Sequence, residues 1–109
     1  MNVQQLARSE GFRALTLPTP EREIQGVYIG DLLSWVMGRA TENDAWITIM
    51  SNTNIVAVAT LADIACIILA EGVTLEDEVM SVAEAKGVNI LTSPLSAYEV
   101  ARLLGTMGL

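Results

Sequence analysis

The sequence predicts a single layered α/β domain over residues 1–109, with a mostly parallel central sheet flanked by helices. Three observations predict this fold class. Strand-like and helix-like segments alternate through the second half of the chain, and the connections between them are short. In addition, the segment 65–69 is apolar at every position, as a strand covered on both faces must be. This alternation is typical of right-handed βαβ units.

The spacing of apolar residues places each element along the chain. Alternating or β-branched residues predict strands, and apolar residues three to four positions apart predict helices. In chain order we expect a helix over 2–10, strands over 12–17 and 24–29, a helix over 32–38, a strand over 46–50, a helix over 54–62, a strand over 65–69, a helix over 75–86, a strand over 88–91 and a last helix after Ser96.

Short polar side chains stand where the predicted helices begin. Asp31, the polar run 51–54, Thr74 and Ser96 each come just before a helical segment. Such side chains accept hydrogen bonds from the free N–H groups of a first helical turn, so we expect them to be N-caps. Ser96 and Glu99 have the spacing of a capping box.

The most apolar stretch of the chain runs from Ile55 to Ala70. It is shorter than the ~20 residues that cross a bilayer, and Asp63 interrupts it. We therefore interpret it as a buried helix that runs into a buried strand. No secretory signal opens the chain, and the single cysteine, Cys66, excludes an intramolecular disulfide. The sequence thus predicts a cytoplasmic protein.

The composition limits the classes of partner. Thirteen acidic and six basic residues give a net charge of −7, which repels nucleic acid and anionic membranes, so we expect neither as a partner. Hydrophobic residues make up 51% of the chain and charged residues only 17%, which argues against disorder. Part of the apolar surface is expected to form an interface.

The sequence lacks the residues of the common catalytic mechanisms. It contains no histidine, which removes the usual general base and the usual zinc ligand. Cys66 lies in an apolar run and is expected to be a buried thiol. The acids Glu71, Glu76, Asp77 and Glu78 lack the spacing of a calcium loop and are expected to form a solvated first turn. We therefore expect no enzyme activity, no catalytic residue, no metal and no cofactor.

Three polar loops follow three of the predicted strands. If those strands are parallel, the loops share one edge of the sheet, where α/β proteins commonly bind ligands. Helix N-termini at that edge also offer free N–H groups to anions. The candidate ligand-binding residues are Ser51, Asn52, Thr53, Asn54, Glu71, Gly72, Thr92 and Ser93. The alternative is that Ser51–Asn54 form only a turn and a helix cap.

Three segments carry a resemblance to a known family. They are Gly26-Val-Tyr-Ile-Gly-Asp-Leu-Leu-Ser34, Asn54-Ile-Val-Ala-Val-Ala59 and Ile90-Leu-Thr-Ser-Pro-Leu-Ser-Ala97. In their order and spacing the chain resembles the DRTGG domain family over nearly its whole length, and especially its short stand-alone members from anaerobic bacteria. The resemblance implies a fold similar to the amino-terminal domain of HPr kinases, a regulatory role, pairing with a second copy and no enzymatic activity of the module itself.

The chain departs from that family at the residues that name it. Where typical members have Gly-Asp-Arg it has Met50-Ser51-Asn52, and where they have Thr-Gly-Gly it has Ala70-Glu71-Gly72. Only Gly72 matches the family pattern directly.

Two hypotheses of function follow. The first is a non-catalytic regulatory or scaffold domain that forms a homodimer and binds a protein partner, such as an iron hydrogenase subunit in a cytoplasmic redox system. The alternative is a small-ligand sensor that binds a nucleotide or other anion at the carboxyl ends of the strands. A third hypothesis, an enzyme that uses Cys66 or the acidic cluster, has the least support from the residues.

Overall fold

The computed structural model of the protein describes residues 1–109 and places five helices and five strands along them. In chain order these are α1 (Val3–Ala7), β1 (Arg13–Thr16), β2 (Gly26–Ile29), α2 (Leu33–Arg39), β3 (Asp44–Thr48), α3 (Asn54–Ala62), β4 (Cys66–Leu69), α4 (Asp77–Lys86), β5 (Ile90–Thr92) and α5 (Ala97–Thr106). Every predicted helix and strand is present, in the predicted order.

The strands form one sheet in the order β1-β5-β4-β3-β2. From β2 to β5 each strand is parallel to its neighbours, whereas β1 runs antiparallel to β5. Right-handed connections between successive parallel strands place α2, α3 and α4 on one face of the sheet. Helices α1 and α5 cover the other face. The predicted α/β domain with a mostly parallel sheet is confirmed.

A hydrophobic core lies on each face of the sheet. The first core joins Trp46, Ile67 and Ile90 to α2, α3 and α4. The second joins Ile47 and Ile68 to α1 and α5. All four residues of β4 are buried, because alternate side chains enter the two cores. This explains why the segment is apolar at every position.

The apolar stretch in the middle of the chain contains two elements. Helix α3 ends at Ala62, Asp63 adopts a left-handed conformation with φ 55°, and β4 begins at Cys66. The predicted change from helix to strand is therefore confirmed. No helix of the protein is both long enough and apolar enough to cross a bilayer.

The helix starts agree only in part with the predicted caps. Ser96 caps α5, and its Oγ accepts the N–H of Glu99 at 3.2 Å. The prediction that Thr74 caps α4 is wrong, because that helix begins later, at Asp77, after an extended Glu76. Neither Glu76 nor the N-cap of α3, Thr53, caps its helix with a side-chain hydrogen bond.

Asp31 does not cap α2, whose N-cap is Leu32. Its carboxylate instead accepts hydrogen bonds from the Thr48 hydroxyl at 2.7 Å and the Ile49 N–H at 3.0 Å. The parallel pairing of β2 with β3 brings the ends of both strands together, so the aspartate reaches the neighbouring strand rather than the helix. It ties the two strand ends to each other.

A buried aspartate begins β3, two residues before the predicted start of the strand. Asp44 is 6% exposed, and its carboxylate accepts hydrogen bonds from the N–H and hydroxyl of Thr41, at 2.8 and 3.1 Å. These bonds replace the water that the carboxylate loses on burial.

Asn89 joins the loop after β1 to the centre of the sheet. Its side chain is buried, and its Nδ2 donates to Thr19 O at 2.8 Å and Ala65 O at 3.0 Å. Its Oδ1 accepts the Thr19 N–H at 2.9 Å. A single amide thus holds the proline-containing loop against β4 and β5.

Candidate ligand-binding site

The loops after β3, β4 and β5 lie at one edge of the sheet, as predicted. Because these strands are parallel, their carboxyl ends point the same way. Backbone hydrogen bonds join the second and third loops: Glu71 N donates to Leu95 O, and Gly72 N donates to Ser93 O, both at 2.8 Å. We call the edge of the sheet at which these loops lie the carboxyl edge.

A first cleft of about 530 Å³ opens between the starts of α3 and α4. Its walls are the residues Ser51, Asn52, Thr53, Thr74, Leu75, Glu76, Glu78 and Val79. The backbone N–H groups of Ser51–Thr53 and of 74–78 donate to no other group of the protein. The cleft therefore offers many free donors from two helix starts.

The charge in the first cleft is negative. The carboxylates of Glu76 and Glu78 line it, and no lysine or arginine does. Helix N-termini carry partial positive charge, which these acids partly offset. Carboxylates accept hydrogen bonds from ribose hydroxyls in nucleotide sites, so this cleft suits hydroxyl and amine donors better than a bare phosphate.

A second cleft, of about 400 Å³, lies further along the carboxyl edge, beside β1. It is lined by Gly11, Phe12, Arg13, Gly72, Thr74, Thr92 and Pro94. Thr74 lines both clefts, so the two adjoin. Arg13 is exposed and is the one charged residue of this second cleft.

The two clefts contain five of the eight candidate residues. Ser51, Asn52 and Thr53 line the first cleft, and Gly72 and Thr92 line the second. The Thr92 hydroxyl donates to Val73 O at 2.6 Å, so it also holds the loop after β4 in place.

The other three candidate residues do not line either cleft. Asn54 is exposed as the first residue of α3. Glu71 is exposed at a left-handed turn with φ 61°. Ser93 is fully buried, and its Oγ accepts the Leu95 N–H at 3.2 Å. Ser93 therefore holds the turn that leads toward α5, and its contact with a ligand stays a prediction.

Four polar residues that line the clefts are not among the predicted candidates: Arg13, Thr74, Glu76 and Glu78. Arg13 lies far from the predicted loops in the sequence, and the sequence pattern predicts that Thr74 is a helix cap. Glu76 and Glu78 were interpreted as a solvated first turn, which is correct for their exposure but overlooks the loop opposite them. For Thr74, Glu76 and Glu78, the signal that could have identified them is that only a few residues separate β4 from α4, which keeps these side chains near the carboxyl end of β4.

Cys66 has no geometry for catalysis. Its side chain is buried in the second core, and burial raises the pKa of the thiol to about 12, an effect that the positive charge of Arg22 only partly offsets. The nucleophilic thiolate is therefore scarce at neutral pH. The protein also contains no cluster of three or more acidic, histidine or cysteine side chains that could hold a metal ion.

Exposed apolar side chains lie around the edge strand β2, near the carboxyl edge. Ile29 ends β2 opposite Ile47, which belongs to the second core, and Ile49 comes directly after the end of β3. Leu32 and Trp35 are one helical turn apart at the start of α2. We define Ile29, Leu32, Trp35 and Ile49, which are 48% to 60% exposed and lie around the edge strand β2 on both faces of the sheet, as the apolar patch.

Comparison with known proteins identifies relatives of this fold. The model of the DRTGG domain matches residues 18–107. Among solved structures, the chain is similar to the CBS and DRTGG domains of the regulatory region of Clostridium perfringens pyrophosphatase, crystallised with an activator, diadenosine tetraphosphate. The TM-score is 0.68 at 17% sequence identity, over 93% of this chain and 47% of that one.

The chain thus spans about half the length of that solved regulatory region. No curated protein sequence matches it. The TM-score shows that the chain and the pyrophosphatase region share a fold, and at 17% identity it shows no more than that. The match to the domain model, in contrast, covers most of the sequence. By that match, the chain belongs to the DRTGG domain family.

Proposed function

We propose that the chain is a non-catalytic regulatory module that binds a nucleotide-class ligand along the carboxyl edge. The observation that carries this proposal is the pair of adjoining clefts, which share Thr74 and open onto the uncapped starts of α3 and α4. Volumes of about 530 and 400 Å³ lie within the range of small-molecule sites in proteins.

The polarity of the clefts supports a ligand with both hydroxyl and phosphate groups. Free N–H groups and the acids Glu76 and Glu78 offer partners to a sugar or a base in the first cleft. Arg13 offers positive charge in the second cleft. The pyrophosphatase regulatory region, of which this chain matches 47%, was crystallised with diadenosine tetraphosphate as activator, which makes adenine nucleotides the first ligands to test.

Thermal unfolding with adenosine, AMP, ATP and diadenosine tetraphosphate tests the proposal. A ligand at one hundred times its Kd should add about 2.7 kcal/mol of stability. For a domain of this size that corresponds to a rise in Tm of roughly 10 °C or more. If none of the four ligands raises the Tm, the proposal is wrong.

Two variants show whether a ligand that binds does so in the clefts. Thr74→Tyr places a bulky ring between them, at an exposed side chain that makes no hydrogen bond. Ser81→Tyr makes the same kind of change on an exposed position of α4 outside both clefts. We expect the first variant to abolish the shift in Tm and the second to retain it. Equal shifts in both variants would place the ligand elsewhere.

Self-association is a second candidate function, and the apolar patch favours it. The four side chains expose on the order of 450 Å² in total, divided between the two faces of the sheet at the edge strand β2. This is more than half of the ~800 Å² that each partner buries in a standard interface. The adjacent strand β2 is at the edge of the sheet.

Light scattering tests the homodimer. We expect a mass of about twice 11.7 kDa at micromolar concentration. Leu32→Glu, in the patch, should give a monomer because each copy would bury a carboxylate without a partner in the interface. Leu61→Glu is the control, since Leu61 is 71% exposed on α3 and lies outside the patch. A monomeric wild-type chain would refute self-association.

A protein partner such as an iron hydrogenase subunit, and a cytoplasmic location, stay predictions that follow from the resemblance and the composition. Affinity capture from the native organism, with Leu32→Glu as the parallel bait, tests the partner. Recovery of a hydrogenase subunit by both baits would support a partner that docks away from the patch, and its absence from both would contradict the prediction.

A further inference from the structure

We infer that Arg13 binds the phosphate of the nucleotide in the second cleft and so fixes the direction in which the ligand lies along the carboxyl edge. This inference rests on the proposed function. It concerns a residue that lies before the segment matched by the DRTGG domain model, which begins at residue 18. The family match therefore implies nothing about it.

The topology of β1 places Arg13 at this edge. The other four strands end at the carboxyl edge, whereas β1 is antiparallel to β5 and begins there. Arg13 is the first residue of β1 and lies opposite Thr92, the last residue of β5. Residues directly opposite each other in an antiparallel pair have their side chains on the same face of the sheet, so the side chain of Arg13 lies on the same face as that of Thr92.

The surroundings of Arg13 leave room for a ligand. Thr92 bonds to the loop that also contains Gly72 and Thr74, and this loop forms the far wall of the cleft. Gly72 adopts φ 72°, and no atom lies within 4 Å of where its Cβ would be. A phosphate can therefore approach the backbone there without meeting a side chain. The Thr74 hydroxyl and N–H have no partner in the protein and can donate to it.

Arg13 is free to bind an anion. The two ion pairs of the protein join the amino terminus to Glu23 and Arg22 to Asp63, and Arg13 takes part in neither. It also makes no hydrogen bond through its side chain, although the chain has thirteen acidic residues. A guanidinium presents donors in a fork that matches two phosphate oxygens.

The charges of the two clefts give the ligand a direction. Arg13 lies on one side of Thr74, and the carboxylates of Glu76 and Glu78 lie on the other. A phosphate is attracted to the first and repelled by the second, whereas ribose hydroxyls can donate to carboxylates. The phosphates therefore point toward β1 and the nucleoside toward α3.

Calorimetric titration of the full chain with adenosine and with ADP tests the inference. Arg13→Gln should weaken ADP binding at least tenfold, the usual effect of losing charge-assisted hydrogen bonds, and leave adenosine binding within about twofold. Arg13→Lys should bind ADP with an affinity between those of the wild-type chain and Arg13→Gln, because an ammonium group keeps the positive charge but cannot donate to two phosphate oxygens at once as a guanidinium does. Arg102→Gln makes the same change of charge at an exposed position of α5 outside both clefts and should bind both ligands as the wild-type chain does.

The outcomes separate this inference from the proposed function. Wild-type binding of ADP with no loss in Arg13→Gln would overturn the role of Arg13 and leave the proposed function standing. Equal losses for adenosine and ADP in Arg13→Gln would also overturn it, because they would indicate a damaged site rather than a lost phosphate contact. If the wild-type chain binds neither ligand, both the proposed function and the inference are wrong.

Discussion

Replacing Asn89 with aspartate tests the structural role of one buried amide almost without changing its shape. In the wild-type chain Nδ2 donates to Thr19 O and Ala65 O, at 2.8 and 3.0 Å. In Asn89→Asp a carboxylate oxygen takes the place of this nitrogen and faces two carbonyl oxygens. Only the bond from the Thr19 N–H, at 2.9 Å, is retained.

The expected loss follows from these contacts. Two hydrogen bonds contribute about 1 kcal/mol each, and a buried charge without a partner adds a few kcal/mol more. We expect the free energy of unfolding to fall by about 4 kcal/mol at neutral pH, out of the ~5–15 kcal/mol typical of a domain. In urea this corresponds to a midpoint lower by roughly 2 M.

The pH dependence gives a second measurement on the same variant. Burial raises the pKa of a carboxyl group in the folded state above its value in the unfolded chain. As the pH falls, the buried aspartate is therefore protonated in the folded state before it is protonated in the unfolded chain. The loss of unfolding free energy relative to the wild-type chain should then become smaller. Asn54→Asp, at an exposed side chain without a partner, should change stability by less than about 0.5 kcal/mol. Wild-type stability of Asn89→Asp at neutral pH would refute this account of the amide.

Three further predictions concern the fold. Gly26→Ala should lower the free energy of unfolding by about 1–3 kcal/mol, because the new Cβ would lie 2.6 Å from the Asp44 carboxylate. Gly38→Ala should instead stabilise α2 by roughly 0.5–1 kcal/mol, because no atom lies within 4 Å of its new Cβ. Urea unfolding of both variants measures the difference. Ser96→Ala should lower the stability by about 1 kcal/mol through the lost cap of α5, and an unchanged midpoint would contradict that role. In the folded state the pKa of the Cys66 thiol is about 12, above its ordinary value of 9.0. The thiol's contribution to the free energy of unfolding is therefore complete below about pH 9, and above that pH it declines by about 1.4 kcal/mol per pH unit. Cys66→Ala should lack this decline.

The elements with the clearest sequence patterns were predicted best. β4 was recognised because every residue is apolar, and the bounds of α3 agree with the prediction. The start of β3 was misplaced because Asp44 is buried, and no pattern of apolar residues reveals an acid that is bonded to its own turn. The cap at Thr74 failed since the chain stays extended for two more residues before α4 begins.

The candidate site could be predicted where it depends on local order and not where it depends on distant pairing. Loops that follow parallel strands meet at one edge whatever the details of packing, so the sequence predicts the position of Ser51–Thr53 and Gly72 at the edge where the clefts open. Arg13 joins them only because β1 pairs with β5, which is remote in sequence. The burial of Ser93 likewise depends on the turn that leads into α5.

The pairing of β1 with β5 also constrains how the molecule can form during its synthesis. Residues 13–16 leave the ribosome early, but their partners over 90–92 emerge only after three helices and three strands have been made. Contacts between segments that lie far apart in the sequence form late and slow folding. Until then the nascent amino-terminal segment has no strand to join, and cleavage by a protease near Arg13 should report how far assembly has progressed.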